Sequence, residues 1–379
     1  MKATMNRKIA SHYALIDSHL ERNIVIEVDS QRRIVAIDHV ANIDTCAGVE
    51  FYSGILLAGM VNAHCHLELS YLRGAIAEHT GFAGFAREIG RVRNNFSDEE
   101  RIAAATAADA QMWQEGVEAV ADIANDELIM PIKERSNIRY HTLFELFGLN
   151  NTSLDAHVKM ASSPSTSITP HSTYSVQEAP FREIAERGTA PLSLHFLESD
   201  AEAALYCHRG SLYEWYERMG WSCDFLKYGM PAERIVESIP AERRTLLVHN
   251  CAATPIDVMT IETHLRNVSW VLCPESNRYI SDVCPPAAML SSMGVNIALG
   301  SDSLASARTL SMVDNMRLLS DIPLVELLLW ATKGGARAMG WDEKLGDLRV
   351  GTSPGIVLLE GADLQQLRLT PTSLTRRII

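Results

Sequence analysis

Asn62-Ala63-His64-Cys65-His66 closes an apolar run that begins at Gly54 and continues to Val61. In an extended strand successive side chains face opposite ways, so His64 and His66 share one face and Cys65 takes the other. Two imidazoles on one face at a strand end can chelate a divalent metal. Alone, such a pair is as compatible with a surface loop. Four later stretches repeat the arrangement. Ser165 to Pro170 delivers His171, Pro191 to Leu194 delivers His195, Arg244 to Val248 delivers His249, and Val295 to Ser301 delivers Asp302. Each is a short apolar or β-branched run ended by one residue able to bind a metal or move a proton.

A strand buried on both faces reads this way. In a (β/α)8 barrel all C-terminal strand ends converge on one face, where catalysis occurs. Strands are expected near 59–64, 117–123, 138–146, 165–170, 191–196, 244–249, 268–273 and 295–300. Helix signals lie between them. Ser97-Asp98-Glu99-Glu100 forms a capping box that opens a helix toward Gln114, and Ser199-Asp200-Ala201-Glu202 spells a second. A doubly wound open sheet shows the same alternation, but it would not gather ligands from strands one, five, six and eight at one point. The fold class is therefore α/β, a distorted (β/α)8 TIM barrel over residues 59–342. Residues 1–58 read as short strands with turns, and the tail 343–379 returns to strands at Gly355 to Glu360 and Leu364 to Leu369. Together the two ends are expected to build a small β-sandwich domain.

Composition narrows the partners. A net charge of −13 argues against nucleic acid or anionic lipid, both of which need a positive surface. Seven cysteines without a Cys-x-x-Cys pair suit reduced thiols rather than a disulfide framework or zinc ribbon. Cys65 and Cys251 read as small core fillers facing away from the ligands. No apolar segment follows the basic Met1 to Lys8, and no run reaches the ~18 apolar residues of a membrane span. A cytoplasmic protein acting on a small molecule is expected, with no membrane and no nucleic acid as partner.

The ordered set Gly59 to His66, Thr169 to Ser175, His195-x-x-Glu198, His249, Cys273-Pro274-Glu275-Ser276-Asn277 and Gly300 to Ser303 resembles the amidohydrolase superfamily, in its cytosolic deaminase and chlorohydrolase branch. That resemblance implies one divalent metal, zinc or alternatively iron, held by His64, His66, His195 and Asp302. It implies Glu198 as the carboxylate that protonates a ring nitrogen of the substrate. Asp302 would take a proton from the attacking water and give it to the departing amine, and His249 would orient the water. His171 would contact substrate or bond a neighbouring loop. The bridging lysine of binuclear members has no counterpart where His171 ends its strand, which favours one metal. The branch also implies a homodimer. Asp302 has a blander reading as a helix N-cap.

His66-Leu67-Glu68-Leu69-Ser70 is similar to enzymes of the futalosine route to menaquinone, which deaminate 6-amino-6-deoxyfutalosine, an adenosine-like nucleoside carrying a benzoate. Glu68 would then hold a ribose hydroxyl. Arg87 and Arg91, one helical turn apart, would offer a guanidinium to the benzoate, or else form a solvated basic face. Guanine, adenosine or S-adenosylhomocysteine, cytosine-like rings and s-triazines remain alternative substrates on such a scaffold. So does a barrel that binds a ligand without turnover.

Overall fold

Eight parallel strands follow one another along the chain: β1 (Met60–Cys65), β2 (Val117–Ala124), β3 (Arg139–Leu146), β4 (Thr166–Pro170), β5 (Leu192–Phe196), β6 (Thr245–His249), β7 (Val268–Leu272) and β8 (Ile297–Leu299). They belong to a computed structural model that describes residues 6–151 and 153–379. The basic Met1 to Met5 lies outside the described residues. Strands β4 to β8 are buried at every position, as continuous apolar runs require when helices cover one face and a packed interior the other.

The ladder is not continuous. Hydrogen bonds define two four-stranded sheets, β1-β2-β3-β4 and β5-β6-β7-β8, and two seams join them. At the first, Pro170 has no N–H to donate, and a side chain supplies the pairing. Thr169 Oγ1 accepts from the Ser193 N–H at 2.9 Å and donates to the Ser193 carbonyl at 2.6 Å. Beyond it the His195 N–H donates to the His171 carbonyl at 2.8 Å. At the second seam, the N–H groups of Ser301 and Asp302 both donate to the His64 carbonyl at 3.0 Å. Asn62 reinforces it, accepting from the Ser301 N–H at 3.0 Å and donating to Ser301 Oγ at 2.7 Å. Both seams thus close at the very residues that carry the imidazoles and Asp302. The barrel is distorted for this reason.

Six helices matter for the site: α1 (Gly81–Val92), α2 (Asp98–Gln114), α3 (Asp200–Tyr206), α4 (Gly210–Met219), α5 (Pro231–Ser238) and α6 (Pro274–Ser281). The capping box at Ser97 and Glu100 forms, with both reciprocal bonds present. The second expected box does not. Ser199 caps nothing with its side chain, because Glu202 turns inward to accept from Thr173 Oγ1.

The two ends of the chain meet as expected, in a small β-domain of seven hydrogen-bonded strands with a core of its own. Two ten-residue strands, Arg7–Ile16 and Val49–Ala58, run parallel through it and are long enough to carry partners at both ends. Ile24–Val28 pairs with the start of the first, and Ile356–Glu360 with the end of the second. Alternation divides the buried residues. Leu56, Ala58, Ile356 and Leu358 join Ile9, Ile26 and Ile34 in the sheet's own core, whereas Ile55, Leu57, Val357 and Leu359 pack with the barrel residues Met60, Met112 and Val117. Leu364 to Leu369 is not a strand. Asp363 Oδ1 accepts from the N–H groups of Gln365 and Gln366 and bends the chain into a turn, and the last strand is Leu374–Arg377. Among the described residues no helix is long and apolar enough to cross a membrane.

Gly300 is where the second seam is tightest. A Cβ there would stand 2.9 Å from the His64 carbonyl oxygen, 2.9 Å from His64 Cβ and 2.9 Å from Cys273 Sγ. Gly300→Ala should therefore destabilise the fold by about 1–3 kcal/mol, the usual cost of overpacking a filled interior. Equilibrium denaturation will measure it, and a wild-type midpoint would show that the seam yields without cost.

Candidate active site

The C-terminal ends of β1, β4, β5, β6 and β8 deliver six of the expected residues to one place, His171 among them. His64 and His66 leave β1 with their Nε2 atoms 3.2 Å apart. Asp302 Oδ1, just beyond β8, lies 3.9 Å from the first and 3.6 Å from the second. A ring nitrogen of His195 at the end of β5 and one of His249 at the end of β6 fall with one of His64 inside a 4.8 Å cluster.

This donor set fits a divalent ion. Metal–nitrogen bonds of about 2.0–2.1 Å at tetrahedral angles put neighbouring donor atoms about 3.3–3.4 Å apart, close to the separations found. His195 Nε2 is buried without a hydrogen-bond partner, a costly state for a polar atom unless a cation is met there. Burial, then the like charges of His66 and His195, pulls the His64 imidazole well below its ordinary pKa, which keeps it a neutral electron-pair donor.

Each group is held from behind. Asp302 Oδ2 accepts from Ser276 Oγ at 2.5 Å and Ser306 Oγ at 2.9 Å, so Oδ1 is the oxygen turned toward the imidazoles. Burial pushes this carboxyl up, but His66, His249 and His195 outweigh it and hold it below its ordinary value. His195 Nδ1 lies 3.3 Å from Glu198 Oε2, an arrangement that puts the proton on Nδ1 and leaves Nε2 free as a ligand. Asn277 Nδ2 donates to His249 Nδ1 at 2.9 Å, so His249 carries its proton on Nε2, 3.8 Å from Glu198 Oε1. Burial opposes charge on Glu198, yet His249 and His195 bring it down to about 2. It is a carboxylate at neutral pH.

Backbone strain is present at three of these strand exits. Leu197 has φ +46°, His249 φ +78°, Asn250 φ +61° and Asp302 φ +56°. Left-handed conformations of such residues are uncommon and cost energy, and they gather where a side chain must be aimed. Asp302 is not a helix N-cap. The next helix, Met312–Arg317, is preceded by Ser311.

His171 reaches the site at the end of β4 and stacks on His195, centroids 4.5 Å apart at 24°. Its Nδ1 is bound to Ser175 Oγ at 2.8 Å. Glu68 follows the β1 ligands but is only 2% exposed. Its two oxygens accept from the Asn125 N–H and Nδ2, both at 2.9 Å, and so anchor that loop. Arg87 and Arg91 are not brought to the site. α1 turns Phe82 toward the cleft and Phe85, Ile89 and Val92 toward the core. Its arginines point to solvent, 78% and 64% exposed, beside Glu88. Cys251 also departs from expectation, lining a small cleft with Glu198, Phe82, Asn277, Ile280 and Val283.

Several polar residues of the site were passed over in the sequence. Asp122 in β2 accepts from the Leu67 N–H at 2.8 Å and forms a buried ion pair with Lys133. Glu145 near the end of β3 accepts from Asn125 Nδ2 at 2.8 Å, and one of its oxygens lies in a 4.8 Å cluster with ring nitrogens of His171 and His195. The signal that found His195 would have found both, since each is a lone charge near the end of an apolar strand.

The sequence profile of the amidohydrolase family matches residues 55–376. The chain belongs to the amidohydrolase family. Among individual proteins, it is 26% identical to an adenosine deaminase of Helicobacter pylori over 321 residues, 76% of this chain and 75% of that one. The crystal structure of Helicobacter pylori aminofutalosine deaminase in complex with methylthio-coformycin superposes with a TM-score of 0.79 at 22% identity, covering 96% of this chain and 93% of that one. An adenosine deaminase of Xanthomonas campestris, solved with bound zinc, gives 0.72 at 22% identity over 96% and 86%. These solved structures share the fold of this amidohydrolase.

Replacing either His64 or Asp302 by Asn should lower the metal content from about one ion per chain to a small fraction of that, because a ligand lost from a four-donor site forfeits most of its affinity. Elemental analysis of the purified variants measures this. Wild-type metal content in both would remove these residues from the ion's coordination.

Proposed function

We propose that this amidohydrolase is a metal-dependent hydrolytic deaminase that replaces the exocyclic amino group of an aminopurine nucleoside by water and releases ammonia. Within that class we propose 6-amino-6-deoxyfutalosine as the substrate, which would give the protein a role in the futalosine route to menaquinone. The observation that carries the deaminase reading is Glu198. It is an ionised carboxylate, its side chain only 10% exposed, held between His195 Nδ1 and His249 Nε2. It also lines a cleft whose Phe82, Ile280 and Val283 suit a flat heteroaromatic ring.

His64, His66, His195 and Asp302 would hold one divalent ion, zinc rather than iron given the zinc in the Xanthomonas enzyme. When bound, such an ion lowers the pKa of water toward neutrality. The chain's own groups then account for every proton. Glu198, ionised at the outset, accepts the first proton of the water and passes it to the ring nitrogen, which makes the adjacent carbon electrophilic. Asp302 accepts the second and passes it to the departing amine. Both carboxylates end as they began. His249, with its proton on Nε2, donates to the attacking oxygen and aims it. His171, stacked on His195, would border the ring.

The nucleobase end of the substrate is what the side chains support. The benzoate end rests on the likeness of His66 to Ser70 and on the Helicobacter aminofutalosine deaminase, because Arg87 and Arg91 point away. A homodimer in the cytoplasm completes the proposal, on family likeness.

Ammonia release should be measured on adenosine, S-adenosylhomocysteine, 6-amino-6-deoxyfutalosine, guanine and an s-triazine. Turnover is expected for the aminopurine nucleosides, with the benzoate-bearing one preferred, and no ammonia from any of the five would end the deaminase reading. Glu198→Gln should keep its metal and lose about 100- to 10,000-fold in kcat, the usual contribution of a positioned acid–base group. An unchanged kcat would rule out its proton-carrying role.

A further inference from the structure

Glu202 is a second carboxylate near the exit of β5, and neither ion binding nor the proton transfers above use it. It lies in α3 and is 1% exposed. Thr173 Oγ1, from the segment after β4, donates to its Oε1. The backbone N–H groups of Leu197 and Glu198 face the same carboxyl. Leu197 is left-handed, at φ +46°, which an L residue with a full side chain disfavours. That turn swings Glu198 back toward His195.

The other end of the link is immobile. The Thr173 carbonyl accepts from Tyr206 Oη at 2.7 Å and from Arg234 Nη1. Arg234 is fully buried, with its guanidinium 4.3 Å from the Phe181 ring centre and 4.4 Å from that of Phe225. It also donates to the Val176 carbonyl at 2.9 Å. One carboxyl, bonded to Thr173 and with its Oε2 still unpartnered, therefore stands between the turn bearing Glu198 and a fixed segment bearing His171. Burial, with the negative charge of Glu198 behind it, pushes Glu202 up to about 8. At neutral pH it is mostly uncharged, so it can donate as well as accept and brings little second charge beside Glu198.

We propose that Glu202 is a positioning residue that holds the Leu197–Glu198 turn in its left-handed form and so sets the reach of Glu198 to water and to the ring nitrogen. This rests on Glu198 being the proton carrier. Glu202→Leu, similar in size but apolar, should lower kcat about 10- to 100-fold on any nucleoside the enzyme deaminates, the scale of an ångström-sized misplacement. KM should stay within about threefold, with metal content unchanged. Glu202→Gln, which keeps an uncharged hydrogen-bonding group, should restore kcat to within about threefold of wild type. Thr173→Val cuts the same link from its other end and should lower kcat similarly, with the double variant no worse than either single one. It also carries the test should Glu202→Leu fail to fold.

Wild-type kcat in both Glu202→Leu and Thr173→Val overturns the proposal, as does a loss confined to KM or a Gln variant as poor as the Leu one. Glu198→Gln, assayed beside them, separates the two ideas. If it leaves kcat intact, the proton-carrier reading falls. If it abolishes turnover while Glu202→Leu keeps the wild-type kcat, only the positioning role falls. Crystals give a readout free of activity, since Glu198 should leave its 3.3 Å contact with His195 in the Leu variant. An unmoved Glu198 overturns the proposal.

Discussion

The carbonyl oxygen of His64 joins the first strand of the barrel to the eighth, accepting from the N–H groups of both Ser301 and Asp302. The same peptide segment carries two imidazoles and the other carries the carboxylate. Barrel closure and assembly of the ion site are therefore one event. This explains why Gly300 leaves no room for a side chain, and why Asn62 contributes an amide to Ser301 rather than packing as an apolar residue would. At the opposite seam Thr169 does for β4 and β5 what Asn62 does for β1 and β8. A regular barrel would pair these strands through backbone alone. Here side chains complete the pairing, and the backbone beyond them is free to adopt the left-handed turns that aim His249, Glu198 and Asp302.

Those turns draw on the stability of the scaffold. Each left-handed non-glycine residue costs on the order of 1–3 kcal/mol and persists only where its surroundings fix it. For Asp302 the surroundings are Ser276, Ser306 and the His64 carbonyl. For the His249–Asn250 step they are Asn277 on the ring and the Leu247 and Val271 carbonyls, which accept from the Asn250 amide at 2.8 and 3.1 Å. The Cys273-Pro274-Glu275-Ser276-Asn277 motif thereby acquires a physical meaning. It starts α6 with two side chains, one steering the carboxylate and one setting a histidine tautomer.

Much of this was legible in the residues because burial on both faces leaves a clear trace. An apolar run ended by one polar residue can hardly be anything but a buried strand with a functional tip, so the eight strands and His64, His66, His195, His249 and Asp302 could be read directly. What could not be read was direction. Nothing in Phe82 to Arg93 says which side of that helix faces the barrel, and its apolar residues claimed the inner side, leaving Arg87 and Arg91 in solvent. Glu202 spelled a capping box with Ser199, but Thr173, distant in sequence, competed for it successfully. Cys251 looked like filler, and a left-handed step before it turned it into the cleft.

The ion pair of Asp122 and Lys133 shows what such buried charge is for. A fully buried pair is seldom a net gain in stability over apolar residues of the same volume, because desolvating both groups is expensive. Its use here is directional. Asp122 Oδ1 accepts from the Leu67 N–H at 2.8 Å and so fixes the chain immediately after the His64–His66 pair, while Lys133 engages the other oxygen and donates to Thr142 Oγ1 at 3.1 Å. An apolar replacement could fill the space but could not hold that amide. The first ligands would then be positioned only from the strand side. A site that must place two imidazole nitrogens 3.2 Å apart against their mutual repulsion needs both sides held.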